Sequence, residues 1–185
     1  GTGAAVCYRQ PGQEFTFYEI DPTVKRIAET PQWFSYLSGC GSGGYQVVLG
    51  DGRLKLAEAP DHHYGMILLD AFSSDAIPSH LLTRQAMTRY LDKLADDGIL
   101  VFHITNTHLD LEPVLANLAA DAGLVSYVCR DDSVSPQESE AGKTASTYVI
   151  QARRRSDLKG LARHPQWKEH TPARPGAVWT DDFSN

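Results

Sequence analysis

Two carboxylates, Asp70 and Asp75, follow the apolar run Met66-Ile67-Leu68-Leu69 in the segment LLDAFSSDAIPSHLLT. Acids on one loop after a buried strand can bind an ammonium group, and one of them can take a proton from an attacking nitrogen. Ser73 and Ser74 add hydrogen-bonding groups for a substrate or simply turn the chain. The same acids equally suit caps and turns, and residue type alone leaves both readings open. A second acid, Glu19, closes the run FTFYEI; a carboxylate there can accept two hydrogen bonds from the hydroxyls of a ribose. Asp21, just before Pro22, reads as a helix cap. Asp51 stands on a turn between Gly50 and Gly52, where it could accept from an exocyclic amino group of a base. Gly1-Thr2-Gly3-Ala4 is a turn whose missing side chains would let a nucleoside approach the backbone. His103 and Asn106, in FHITN, are pocket candidates at the end of another apolar run. His62 and His63 precede the run at 66–69, at the opposite edge, and read as solvated.

These residues share a position. Apolar runs at 15–20, 45–49, 66–69, 99–104, 125–129 and 147–152 predict strands, and several are continuous enough to be covered on both faces. Helical patterns lie between them. One starts at Pro22. Another is capped by Thr83, buries Ala86, Tyr90, Leu91 and Leu94, and is expected to stop at Gly98. A third is capped by Asp110, buries Val114, Leu115, Leu118 and Ala122, and stops at Gly123. Alternating strands and helices predict a mostly parallel α/β sheet with helices on both faces. Ligands bind such sheets at the carboxyl ends of the strands, which is where Glu19, Asp51, Asp70 and His103 fall. From Ser156 onward periodicity fades, and 156–185 is expected to be a surface tail of a single 1–185 domain.

Composition narrows the partners. A formal net charge of -6 gives no support to nucleic-acid binding, which needs a basic surface. Arg153-Arg154-Arg155, the one dense basic run, reads as a solvated strand end. Cys7, Cys40 and Cys129 are odd in number and lack metal-ligand spacing, so neither a disulfide framework nor a structural zinc is expected, and a reducing, cytoplasmic setting fits. No apolar run approaches the roughly 20 residues of a membrane span. The chain begins with Gly1 at what should be the turn after a first strand, which is the expectation for a fragment.

In order, GTGA, YEIDP, GDGR, LLDAFSSDAIPSHLLT, VFHITN and WTDDFSN resemble the motifs of the spermidine synthase (polyamine aminopropyltransferase) family, in particular a bacterial branch often fused to a membrane domain. The resemblance extends over nearly the whole chain, and DAFSSDAIP is its most specific part. It implies a Rossmann-like, class I S-adenosylmethionine-dependent methyltransferase fold, with an N-terminal β-hairpin region and a first strand ahead of Gly1. It implies a decarboxylated S-adenosylmethionine co-substrate, a polyamine acceptor, no metal, and room for a homodimer. Carried over by position, Gly1, Gly3, Gly52 and Ala71 would line the nucleoside, Glu19 would hold the ribose, Ile20 would pack on adenine, and Asp51 would read its amino group. Asp70 would be the catalytic base, with Asp75, Ser74 and His103 on the amine. Ala4 departs from the family, which places an aspartate in the glycine-rich turn to hold the donor's ammonium. Methyl transfer from S-adenosylmethionine, or a non-catalytic nucleoside-binding module, therefore stand as alternatives.

Overall fold

The computed structural model describes residues 2–41, 43–71, 77–105, 109–172 and 176–182. The chain falls into two compact units, Gly1–Ala59 and Pro60–Asn185, where the sequence predicts one domain.

In the first unit a 3-10 helix, Ala4–Tyr8, precedes β1 (Phe15–Glu19), α1 (Pro22–Ala28), α2 (Tyr36–Cys40), β2 (Tyr45–Leu49) and α3 (Gly52–Ala57). β1 and β2 are parallel, in the register Phe15↔Tyr45 to Glu19↔Leu49. Asp21 caps α1 as the sequence predicts, its Oδ1 accepting from the Thr23 N–H at 2.7 Å, with Pro22 at the first helical position. The core here is small: Val6, Ala28 and Leu37 are buried, with Phe15, Phe17 and Val47 packed on them. A disulfide joins Cys7 to Cys40 across Cα atoms 4.8 Å apart, which corrects the expectation of free thiols. Odd cysteine number could not reveal it, because Cys129 is the one left over and stays a free, half-buried thiol in the second unit.

The second unit contains β3 (Tyr64–Leu69), α4 (Arg84–Lys93), β4 (Leu94–His103), α5 (Glu112–Asp121), β5 (Val125–Asp131), α6 (Pro136–Glu140), β6 (Ser146–Ala152) and β7 (Trp167–Glu169). Its sheet has the order β3-β4-β6-β5-β7. β3 and β4 are parallel, whereas β6 runs antiparallel to both β4 and β5, so this sheet is mixed. Thr83 caps α4, its hydroxyl accepting from the Ala86 N–H at 3.1 Å. Ala86, Met87 and Tyr90 fill the apolar face. The helix stops at Lys93 and not at Gly98, because the Arg153 guanidinium donates to the carbonyls of Leu91 and Ala95, each at 2.7 Å, and Leu94 turns into β4. The basic run follows the end of β6 as expected, with Arg154 and Arg155 exposed; Arg154 pairs with Asp157 and Arg155 lies over the Tyr127 ring. Leu100, Phe102, Leu115, Val149 and Ile150 form the centre of the core.

The stretch expected as a tail supplies β7, which pairs antiparallel with β5, and it buries Leu158, His170 and Trp179. A three-residue strand is too short to show a period of two. No helix among the described residues is long and apolar enough to cross a membrane.

Candidate active site

Parallel pairing places the carboxyl ends of β1 and β2 at one edge, and the Gly50 N–H donates to the Glu19 carbonyl there at 2.8 Å. Glu19 is half-buried. Its Oε1 accepts from the Asp21 N–H at 2.9 Å and its Oε2 accepts from the Thr2 hydroxyl at 2.6 Å. The glycine-rich turn and the strand-end acid, seventeen residues apart in sequence, thus meet. Gly3 makes the turn possible: its φ is 100°, a left-handed value that disfavours a side chain, and a Cβ there would lie 2.8 Å from Leu37 Cγ. The Ala4–Tyr8 helix starts directly after it. Ile20, beside Glu19, is 68% exposed, an apolar surface on the same turn.

Asp51 caps α3, its Oδ1 accepting from the Leu54 N–H at 2.9 Å, and Gly52 is the first residue of that helix. Gly50 carries a φ of 142°, which lets the chain turn from β2 into this cap.

In the second unit the parallel register pairs Leu69 with Phe102, so the next residues, Asp70 and His103, emerge side by side. His103 Nδ1 lies 2.7 Å from Asp70 Oδ1. His103 Nε2 lies 2.9 Å from the Thr105 hydroxyl, which in turn accepts from the Thr147 N–H at 2.8 Å. Across the sheet, His103 faces Tyr148 in the β4/β6 register, and the rings stack with centroids 4.5 Å apart. Burial works against the charge on Asp70, the His103 hydrogen bond works for it, and the carboxyl lies below the ordinary aspartate range. Its side chain is still 35% exposed, so a reactant can reach it. Burial, and secondarily the Asp70 charge, push the Tyr148 hydroxyl up, keeping it a neutral phenol. Ala71 is exposed next to Asp70.

Gly1, Ser73, Ser74, Asp75 and Asn106 lie outside the described residues. Three further side chains at these edges escape sequence reasoning. Thr2 sits inside the recognised GTGA turn, and Thr105 lies two residues from His103, on the same side of an extended chain. Tyr148 requires the antiparallel register, which no local signal supplies.

No family model matches the chain. A polyamine aminopropyltransferase of Vibrio vulnificus (strain CMCP6) is 34% identical over 106 residues, which are 56% of this chain and 34% of that protein. The match therefore spans about a third of the curated relative's length. Among solved structures, a probable spermidine synthase from Corynebacterium glutamicum ATCC 13032 superposes with a TM-score of 0.64 at 15% identity, covering 100% of this chain and 73% of that one. Spermidine synthase from Thermotoga maritima gives 0.54 at 13% identity, covering 92% and 55%. A spermidine synthase in complex with the transition-state analogue AdoDATO gives 0.52 at 14% identity, covering 92% and 54%. The chain is thus similar in sequence to a polyamine aminopropyltransferase and has the class I S-adenosylmethionine methyltransferase-type α/β fold of the spermidine synthases.

Proposed function

We propose that this chain belongs to a transferase that moves an aminopropyl group from decarboxylated S-adenosylmethionine to a diamine such as putrescine, giving spermidine and methylthioadenosine. The observation that carries the reading is Asp70: an ionised, partly exposed carboxylate at the end of β3, inside the most specific motif and bonded to His103. The names of the Vibrio vulnificus relative and of the Corynebacterium glutamicum neighbour support the same chemistry.

The sulfonium of the donor makes the adjacent carbon electrophilic. The amine nitrogen forms a bond to that carbon as the carbon–sulfur bond breaks, and the thioether leaves neutral with the bonding pair. The new ammonium must lose one proton. Asp70 takes that proton, and the remaining task is alignment of nitrogen, carbon and sulfur. Glu19 accepts from the ribose hydroxyls, Ile20 covers one face of the adenine, and Asp51 reads its amino group while capping α3. Gly1, Gly3, Gly52 and Ala71 allow close approach to the backbone, and Asp75 and Ser74 hold the amine acceptor.

Ala4 favours a second reading. It opens the helix after the glycine-rich turn with a methyl group where an acid would grip the donor's ammonium, so S-adenosylmethionine itself, as a methyl donor, meets no specific barrier there. The test is donor choice: methylthioadenosine release from decarboxylated S-adenosylmethionine with and without putrescine, against product formation from S-adenosylmethionine.

A further inference from the structure

The His103 ring presents its two nitrogens to two different oxygens. A carboxylate only accepts hydrogen bonds, so the nitrogen 2.7 Å from Asp70 Oδ1 carries a hydrogen. The Thr105 hydroxyl lies 2.9 Å from Nε2 and accepts from the Thr147 N–H, so the second ring nitrogen is also held at a fixed oxygen. The ring plane is set independently, by stacking on Tyr148 at an interplanar angle of 12°. Thr147 and Tyr148 are neighbours in β6, so one strand holds both the hydroxyl at Nε2 and the tilt of the ring.

A strong donor on a ring that cannot itself rotate restrains a carboxylate about its Cβ–Cγ bond, as an outer-shell partner does for a reacting group.

We propose that His103 is a positioning residue for Asp70, donating from Nδ1, tethered at Nε2 by Thr105 and held in one plane by Tyr148, and that it aims the carboxylate at the attacking amine without holding the substrate. This rests on the aminopropyl-transfer reading, in which Asp70 is the base.

Nitrogen-15 imidazole spectra of the full-length protein read the tautomer without any turnover. They should show hydrogen on Nδ1 of His103; an Nδ1 that carries no hydrogen would overturn the proposal. Kinetics then separate positioning from binding. An asparagine amide places a donor near the Nδ1 position, whereas a glutamine amide reaches toward Nε2. His103→Ala and His103→Gln should lower kcat by about tenfold or more with the amine KM within about twofold, and His103→Asn should recover most of the loss. A raised amine KM at unchanged kcat, or no recovery by asparagine, would make His103 a substrate contact or a structural residue. If the wild-type protein releases no methylthioadenosine from the decarboxylated donor, the aminopropyl reading fails, while the spectra still decide whether His103 serves Asp70.

Discussion

The Thr2 hydroxyl donates to Glu19 Oε2 at 2.6 Å, joining the glycine-rich turn to the end of β1. With the Asp21 N–H on Oε1, the carboxylate is oriented before any nucleoside arrives. Glu19→Gln exchanges one acceptor for an amide N–H and removes the charge. Binding of methylthioadenosine should weaken by about 1.5 to 3 kcal/mol for each charge-assisted bond lost. Titration calorimetry on the full-length protein reads this, and unchanged affinity would make Glu19 an ordinary surface acid.

Cys7 lies in the 3-10 helix after that turn and Cys40 ends α2; both are exposed to a dithiol reductant. Their separation of 33 residues gives a loop-closure contribution of roughly 3 to 4 kcal/mol. Reduction should speed backbone hydrogen exchange in Ala4–Tyr8 and Tyr36–Cys40, and Cys40→Ser should show the faster rates with or without reductant. Equal exchange in the oxidised and reduced wild-type protein would show that packing around Val6 and Leu37 suffices alone.

Much of this was legible in the sequence because the signals are local. Asp21-Pro22, Thr83 and Gly123 mark helix boundaries by their own side-chain and backbone preferences, and all three act where expected. The apolar runs give six strands within a few residues of their ends. What escaped depends on distant partners. The end of α4 is set by Arg153, about sixty residues away, and Gly98 is instead a residue within β4. The Tyr148 stack on His103 follows from the antiparallel placement of β6. Strand ends named Asp70 and His103, but only the parallel register of β3 and β4 makes them neighbours.

Several carboxylates of the second unit are held below their ordinary range. The Ser135 N–H, with Lys143 and the Ser135 hydroxyl, pushes Glu138 down to about 2; Arg84 lowers Asp121 and Arg154 lowers Asp157, each chiefly by a side-chain hydrogen bond. A folded pKa below the unfolded one means the unfolded chain binds more protons in that window, so stability rises with pH through it. These contributions are present above the ordinary carboxylate values of about 4 and are lost as pH falls toward 2. Urea midpoints should therefore hold steady near neutrality and fall between about pH 4.5 and 2. A midpoint that is constant or rises on acidification would contradict these pairings.

Asp70 and Asp75 should fail differently when altered, because only interactions made in the transition state lower turnover without changing ground-state binding. Asp70→Asn should cut turnover by about a hundredfold or more while nucleoside binding persists. Asp75→Asn should chiefly raise the amine concentration needed for half-maximal rate. Steady-state kinetics with putrescine distinguish the two patterns, and identical losses in both variants would remove the division between base and anchor.

The central claim is aminopropyl transfer, and donor choice tests it most directly. The full-length protein is incubated with decarboxylated S-adenosylmethionine, with and without putrescine, and methylthioadenosine is quantified; parallel reactions carry S-adenosylmethionine. The account predicts methylthioadenosine release that requires both putrescine and the decarboxylated donor. Product from S-adenosylmethionine alone, or tight nucleoside binding with no turnover of either donor, would contradict it.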